Sequence, residues 1–264
     1  MSKGKIVSIH SFRGGTGKSN IIANLAAQAA LTGKRVGIVD TDIQSPGIHV
    51  LFGLDGNKMG RTLNDFLFDK CTIKEAAFPV GEKGTDAEGR AKLAGKKIWL
   101  IPSSINGREI SQVLREGYDF NRLNEGFQTL IKELDLDYLF IDTHPGLNEE
   151  TLLSIAISDI LIILLRPDDQ DIQGTAVTVD IARSLDVPEL ILLVNKALPR
   201  LDRDDIKKRF ETEFQAPVAG ILLLTFDVAE NASKDLFSLC KPDHEWSVAL
   251  RNVAETILIA KEQR

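Results

Sequence analysis

Cysteine is nearly absent. Cys71 and Cys240 are the only two in 264 residues, and their separation matches neither a metal-ligand nor a redox-pair spacing. The chain is therefore no disulfide scaffold, and both thiols are expected to be reduced, as in a cytoplasmic protein. No stretch reaches the roughly 18 apolar residues that a membrane span requires. The basic segment 1–9 lacks the apolar run of a signal peptide. Positive charge is not in excess either: 32 Lys and Arg stand against 38 Asp and Glu, a net charge of −6. That balance argues against a dedicated nucleic-acid coat, although it leaves room for a local basic patch. There is no internal repeat, no low-complexity tract and no Pro/Ser/Gly linker between separate sets of strands. What is present is 43% hydrophobic and 27% charged residues, enough to bury a substantial core without a metal or a covalent staple.

Short apolar runs occur at 6–9, 36–39, 98–101, 138–141, 160–165, 190–194 and 218–224. They are continuous rather than alternating, as in strands covered on both faces. Helical patterns lie among them at 18–31, 123–133, 149–157, 175–184, 203–213 and 245–260. Strand followed by helix, repeated, predicts a single α/β domain over 1–264. Its sheet should be mainly parallel, with about seven strands, helices on both faces and right-handed crossovers. One segment breaks the rhythm. Residues 69–97 are polar and contain Gly81, Gly84, Gly89 and Gly95. They are expected to form an excursion, either a loop with a mobile tip or an element that contacts a partner.

The strongest signal follows the first apolar run: Phe12-Arg13-Gly14-Gly15-Thr16-Gly17-Lys18-Ser19, leading into an apolar helix. Glycines let such a loop turn tightly and aim backbone N–H groups at a phosphate. The helix behind it adds unsatisfied N–H groups and the positive end of its dipole. Lys18 can reach the outer phosphates and the Ser19 hydroxyl can ligate Mg²⁺. This reads as a nucleoside triphosphate site. Phe12 occupies the first glycine position of the standard Gly-x-x-x-x-Gly-Lys-Ser form. The loop instead resembles the deviant phosphate loop of the MinD/ParA ATPases, Lys-Gly-Gly-x-Gly-Lys-[Ser/Thr]. Nucleotide contacts implied by the resemblance are Gly14, Gly15, Thr16, Gly17, Lys18, Ser19 and Asn20. In that family a signature lysine crosses a dimer interface to the partner's nucleotide. Arg13 stands at its position, with the same charge and a planar fork suited to phosphate. The alternative is that Arg13 touches only its own loop or solvent.

Two acidic segments follow. The second run ends in Asp40-Thr41-Asp42 and the fourth in Asp142-Thr143-His144-Pro145-Gly146, where carboxylates at strand ends face the crevice of an α/β sheet. By the same resemblance Asp42 orients the attacking water, while Asp40 and Asp142 hold Mg²⁺ through water together with the Ser19 hydroxyl. Gly146 then offers its N–H to the γ-phosphate. His144 is set aside as a hydrogen-bonding residue of the loop. After the sixth run, the resemblance implies that Asn195 reads the adenine edge, which an amide can do by offering donor and acceptor together; the alternative is that it only caps the strand end. The catalytic set expected is Asp42, Lys18 and Arg13. Segment 225–227 loosely resembles the stretch that packs the other side of the base.

The resemblance extends from Ile6 to the last helix and implies an ATP- and Mg²⁺-dependent ATPase that dimerises, acting as a switch in positioning, partitioning or regulating a cargo. A second copy and a protein that stimulates hydrolysis are the partners implied. Non-specific DNA stays open, with Lys207, Lys208, Arg209, Arg200 and Arg203 as candidates, though acids alternate with them. Direct membrane binding is not expected: Trp246, Leu250, Val253 and Ile257 form a core-packing stripe with no apolar tail after it. Two other readings remain. One is a nucleotide-gated adaptor with little hydrolysis. The other is a metal-cluster or cofactor-insertion ATPase, whose usual paired cysteines Cys71 and Cys240 do not form.

Overall fold

In the computed structural model, residues 4–56, 59–81 and 87–259 are described. The chain runs β1 (Lys5–His10), α1 (Lys18–Leu31), β2 (Val36–Asp40), α2 (Ile48–Leu51), α3 (Leu63–Leu67), β3 (Phe78–Pro79) and α4 (Glu88–Ala91). It continues through β4 (Ile98–Ile101), α5 (Gly107–Glu116), α6 (Phe120–Glu133), β5 (Tyr138–Asp142), α7 (Glu149–Ala156), β6 (Ile160–Leu165) and α8 (Asp169–Ser184). The last part comprises β7 (Glu189–Ala197), α9 (Arg203–Phe214), β8 (Val218–Leu223), α10 (Phe226–Asn231), α11 (Phe237–Cys240) and α12 (Glu245–Ala254). A π-helical turn, Glu255–Ile259, extends α12.

The strands form one sheet in the order β3-β4-β2-β5-β1-β6-β7-β8. All neighbours are parallel except β3 and β4. Successive side chains point to opposite faces. On one face Val7, Ile9, Ile38, Phe140 and Ile162 pack with the apolar sides of α1 and α12. On the other, Val39, Leu139 and Ile141 join α6, while Leu161, Ile163 and Val194 join α8 and α9. Two covered faces explain why the strands read as unbroken apolar runs.

The sheet has eight strands rather than seven. The extra one, β3, is a two-residue antiparallel pairing at the edge. It is too short for any periodicity, and Pro79 has no N–H with which to extend the ladder. It lies within the polar excursion, which is better organised than its composition suggests. Thr72 and Glu75 cap each other's N–H groups at 3.3 and 2.7 Å. The N–H groups of Gly89 and Arg90 in α4 donate to the Asp235 carboxylate at 2.7 and 3.0 Å. Gly84, with the rest of 82–86, lies outside the described residues.

Trp246, Leu250, Val253 and Ile257 are all buried, so the final stripe faces the core. The Tyr138 hydroxyl donates to the Leu258 carbonyl and ties the π-turn to the sheet. Residues 260–264, on which the expected chain-end argument also rests, lie outside the described ones. Among the described residues no helix is long and apolar enough to cross a membrane.

Candidate functional site

The first strand, β1, is flanked by β5 and β6; the connection that leaves β1 runs to β2 on one side, and the connection that leaves β5 crosses to β6 on the other. Crevices at such switch points, beyond the carboxyl ends of the strands, are where α/β sheets bind ligands. Residues 11–17 lie there. Gly17, at φ 100°, precedes α1 and leaves it without a side-chain cap. A β-carbon at Gly17 would also come within 2.8 Å of the Asn195 amide. By contrast Thr62, Asn148 and Asp168 cap α3, α7 and α8. The first N–H groups of α1 are thus left for an anion. The loop is braced from within. Ser11 Oγ donates to the Arg13 carbonyl at 2.7 Å and accepts from Thr16 Oγ1 at 3.0 Å and Lys18 Nζ at 3.1 Å. Lys18 is buried, and desolvation lowers its pKa against the opposing pull of Asp142 and Asp42. Ser19 and Asn20 open α1 on the same side.

Phe12 and Arg13 are exposed. The Phe12 ring lies on Gly174 of α8 so closely that a β-carbon at 174 would sit 2.1 Å from it. Nearby, Arg166 grips the Asp171 carboxylate with two bonds of 2.9 Å. Burial works against that charge. The Arg166 hydrogen bonds nevertheless hold Asp171 below its usual range, with the charge of Arg13 adding to the effect.

Asp40 and Asp142 end adjacent strands and face each other in register. Both are fully buried. Asp40 accepts from the N–H groups of Asp42 and Gly47, each at 3.2 Å. Neither carboxylate oxygen of Asp142 makes a hydrogen bond among the described residues. Burial and mutual repulsion push Asp40 well up. Asp142 is pushed to about 6, chiefly by burial, although the Ser19 hydroxyl and Lys18 favour its charge. Two buried carboxyls, that of Asp142 with both oxygens orphaned among the described residues, next to a serine hydroxyl, are a donor set that suits hydrated Mg²⁺. Asp42, further out, accepts from the Ser45 N–H at 3.3 Å. His144 Nε2 lies 3.8 Å from its carboxylate, while His144 Nδ1 donates to the Pro145 carbonyl at 2.7 Å. Gly146, at φ 81°, donates its N–H to the Ser11 carbonyl at 3.2 Å.

A cavity of about 260 Å³ opens beside the loop between β7 and β8, lined by Gly17, Asn20, Asn195, Leu224, Val228 and Trp246 among others. One N–H of Asn195 engages the Thr16 carbonyl at 2.8 Å. The second N–H and the carbonyl oxygen are what this amide has for a base edge. Lys196, at φ 56°, donates from Nζ to the Gly15 carbonyl at 2.6 Å.

The structure brings the expected residues other than Arg13 together at the carboxyl ends of the strands, with Asn195 on the cavity side and Asp40, Asp42 and Asp142 on the other, while Arg13 stands exposed at the outer turn of the loop. It also adds groups that the sequence does not single out. His10 is buried under the loop and donates from Nδ1 to Thr143 Oγ1 at 2.9 Å, since that hydroxyl proton goes to the Ile9 carbonyl. Burial, with Lys18 and His144 nearby, drops its pKa to about 3, so it stays neutral. Tyr118 and Glu150 close the far side, against Thr41 and Asp42. A terminal strand histidine looks like any other core position, and Tyr118 and Glu150 meet only through the fold.

A family model described as an AAA domain matches residues 4–187. An uncharacterized ATP-binding protein of Methanocaldococcus jannaschii is 27% identical, over 97% of this chain and 88% of its own length. The crystal structure of the Pyrococcus furiosus cell division ATPase MinD is similar at a TM-score of 0.80, with 20% identity over 99% of this chain and 100% of that one. The septum site-determining protein MinD of Pyrococcus horikoshii, solved with Mg-ADP, gives a TM-score of 0.77 at 19% identity, covering 96% of each chain.

Proposed function

The chain belongs to the family whose model is described as an AAA domain; from that premise we propose a P-loop ATPase of the MinD/ParA type, an Mg²⁺-dependent, dimerising ATP switch that positions or regulates a cargo. One observation carries this reading. The uncapped start of α1, Lys18 and the orphaned Asp142 oxygens converge on one crevice, with Asp42 at its rim. The Mg-ADP of the Pyrococcus horikoshii neighbour supports the same class of ligand here.

In this reading the N–H groups of residues 14–19 cradle the phosphates. Lys18 leaves Ser11 Oγ for the outer phosphates. Ser19, Asp40 and Asp142 hold the Mg²⁺ and its water, and the metal, when bound, neutralises charge on the β- and γ-phosphates. Asn195 takes the adenine edge at the cavity mouth. Gly146 exchanges the Ser11 carbonyl for the γ-phosphate. Asp42 orients a water in line with the bond to the leaving ADP. The water oxygen bonds to phosphorus as the bridging P–O bond breaks. Arg13 supplies charge to the partner's phosphates.

The working surface we favour is another protein. On α9, Lys207, Lys208 and Arg209 are exposed, but Arg209 pairs with Glu213 at 3.6 Å and Arg203 pairs with Glu245. Locally cancelled charge releases few counterions from DNA.

Turnover of ATP measured with and without Mg²⁺ tests the proposal, and Mg-independent or absent turnover would overturn it. Lys18→Ala should weaken ATP binding at least about tenfold, because charge-assisted phosphate contacts are strong. Titration calorimetry reads this directly. Asp42→Ala should bind Mg-ATP normally and hydrolyse slowly, since the water and not the nucleotide loses its partner.

A further inference from the structure

Helix α1 is buried along most of its length, yet it carries a polar row at Asn20, Asn24 and Gln28, one turn apart. Asn20 is half-buried and lines the cavity beside the loop. Asn24 is fully buried and Gln28 nearly so. Apolar residues would pack an internal helix at lower cost, since a buried amide is tolerated only when its hydrogen bonds are made. The reaction as described gives Asn24 no task.

The bonds around Asn24 fix which way its amide lies. The backbone N–H of Ser238, in the first turn of α11, is one that a helix start leaves without an internal partner. It donates to Asn24 Oδ1 at 2.8 Å. A main-chain N–H can only donate, so this end of the Asn24 amide is the oxygen. Gln28 Nε2 donates to Ser238 Oγ at 3.1 Å and ties α11 to α1 a second time. From the other side, Asp235 just before α11 is held by the Gly89 and Arg90 N–H groups of α4. Asn24 Nδ2 therefore faces Asn20, donating to its carbonyl at 2.8 Å and to its Oδ1 at 3.1 Å. Both protons of that nitrogen are spent. Asn20 is fixed in turn, because the side-chain atom that meets a committed donor is its oxygen. Its Nδ2 has no partner among the described residues and is the end of the amide left for a ligand.

We propose that Asn24 is a positioning residue for nucleotide binding: held by the Ser238 N–H, it fixes the Asn20 amide so that Nδ2, and not the oxygen, serves the phosphate next to the sugar. Asn20 stands two residues past Lys18 and shares the cavity wall with Gly17 and Asn195, between the place of the outer phosphates and that of the base. An ionised phosphate oxygen accepts and cannot donate. An amide free to turn over would present its own oxygen to the phosphate part of the time and repel it. Setting the amide beforehand removes that ordering cost from binding. The inference rests on Asn20 as a nucleotide contact.

The test is a double-variant cycle on the Kd for Mg-ADP and Mg-ATP, read by titration calorimetry with thermal melts alongside. Asn20→Ala and Asn24→Leu should each weaken binding about tenfold, the scale of one hydrogen bond to a charged group. ADP and ATP should lose alike, because both carry the inner phosphate. In the Asn20→Ala background, Asn24→Leu should change affinity by less than about twofold, since no amide is left to fix. An Asn24 that only holds α11 in place would cost the same in either background. In steady-state turnover the Asn24→Leu loss should fall on KM and spare kcat. Should Asn24→Leu melt early, Asn24→Asp takes its place in the cycle: it keeps an acceptor for Ser238, loses the donors, and should show the same coupling to residue 20. Additive losses in a protein that binds ADP overturn this inference alone, as does an Asn24 variant that binds like the parent. A parent that binds neither nucleotide defeats the reading of the site itself, and this inference with it, which keeps the two failures distinct.

Discussion

The contact between Phe12 and Gly174 shows what one departure from a common loop demands elsewhere. A glycine in the middle of a helix ordinarily costs about 0.5–1 kcal/mol relative to alanine. In α8 it lets the Phe12 ring lie where a side chain would stand, 2.1 Å from the position of a β-carbon. Helix propensity favours Gly174→Ala, but overpacking opposes it, typically by about 1–3 kcal/mol. We expect overpacking to win, lowering the urea midpoint and weakening ATP binding as the loop is displaced. Phe12→Gly in the same chain should recover most of the loss. Unfolding the two single variants, the double variant and the parent measures the coupling, and strictly additive effects would remove the contact from the account. The sequence displays Phe12 as an oddity. It gives no sign of Gly174 as its counterpart, because that requires knowing which helix packs beside the loop.

At the scale of elements, β2 and β5 bring Asp40 and Asp142 side by side. Both strands were legible, as was the acid at each end, because a run buried on both faces leaves an unbroken apolar signature. Their adjacency was not, since strand order depends on crossovers that no local pattern records. The elements missed share a cause. The helices α2, α4 and α11 have four residues each, less than two turns and too little for a stripe. Helix α5 sets Ile110, Val113 and Leu114 at i, i+3 and i+4 but buries only Val113, so its stripe is short and lies mostly outside the core. The carboxyl pair carries its own prediction. Beyond the pull of the Ser19 hydroxyl, Asp142 has no hydrogen-bond partner among the described residues, so Asp142→Asn removes a buried charge at little cost beyond a weaker counter-charge for Lys18. A buried uncompensated charge of this kind costs on the order of 1 kcal/mol or more, so the nucleotide-free variant should be more stable than the parent. The sign follows from the raised pKa of about 6: the penalty grows as pH rises from the ordinary carboxyl range through about 6 and is constant above. The gain should thus be clear at pH 8 and vanish near pH 4. Mg-ATP should stabilise the variant no more than ATP alone. A variant less stable than the parent at pH 8 would show that the pair is held by something other than its ligand.

For the whole molecule the question is whether one chain makes a complete site. The groups proposed to hold a nucleotide converge from a single copy: the loop, Lys18, the carboxyl pair and the cavity beside Asn195. Arg13 does not converge. It sits exposed at the outer turn of the loop, where its charge is felt by Asp171, which Arg166 already satisfies. A cation held so loosely has little to lose by reaching across to a second copy. If it does so, activity per molecule should climb with protein concentration and level off once dimerisation saturates. Arg13→Ala should keep ATP affinity, through Lys18 and the loop amides, yet lose nucleotide-dependent dimerisation and most hydrolysis. Fingers supplied in trans contribute roughly 10³- to 10⁵-fold in rate, so even a partial loss is measurable. Arg13→Lys should restore part of it, returning the charge without the planar fork. Sedimentation with a non-hydrolysable ATP analogue gives the reading: the parent should run as a dimer and Arg13→Ala as a monomer. If Arg13→Ala dimerises and turns over like the parent, each site is complete in one chain, and the exposed cation must be explained by Asp171 alone.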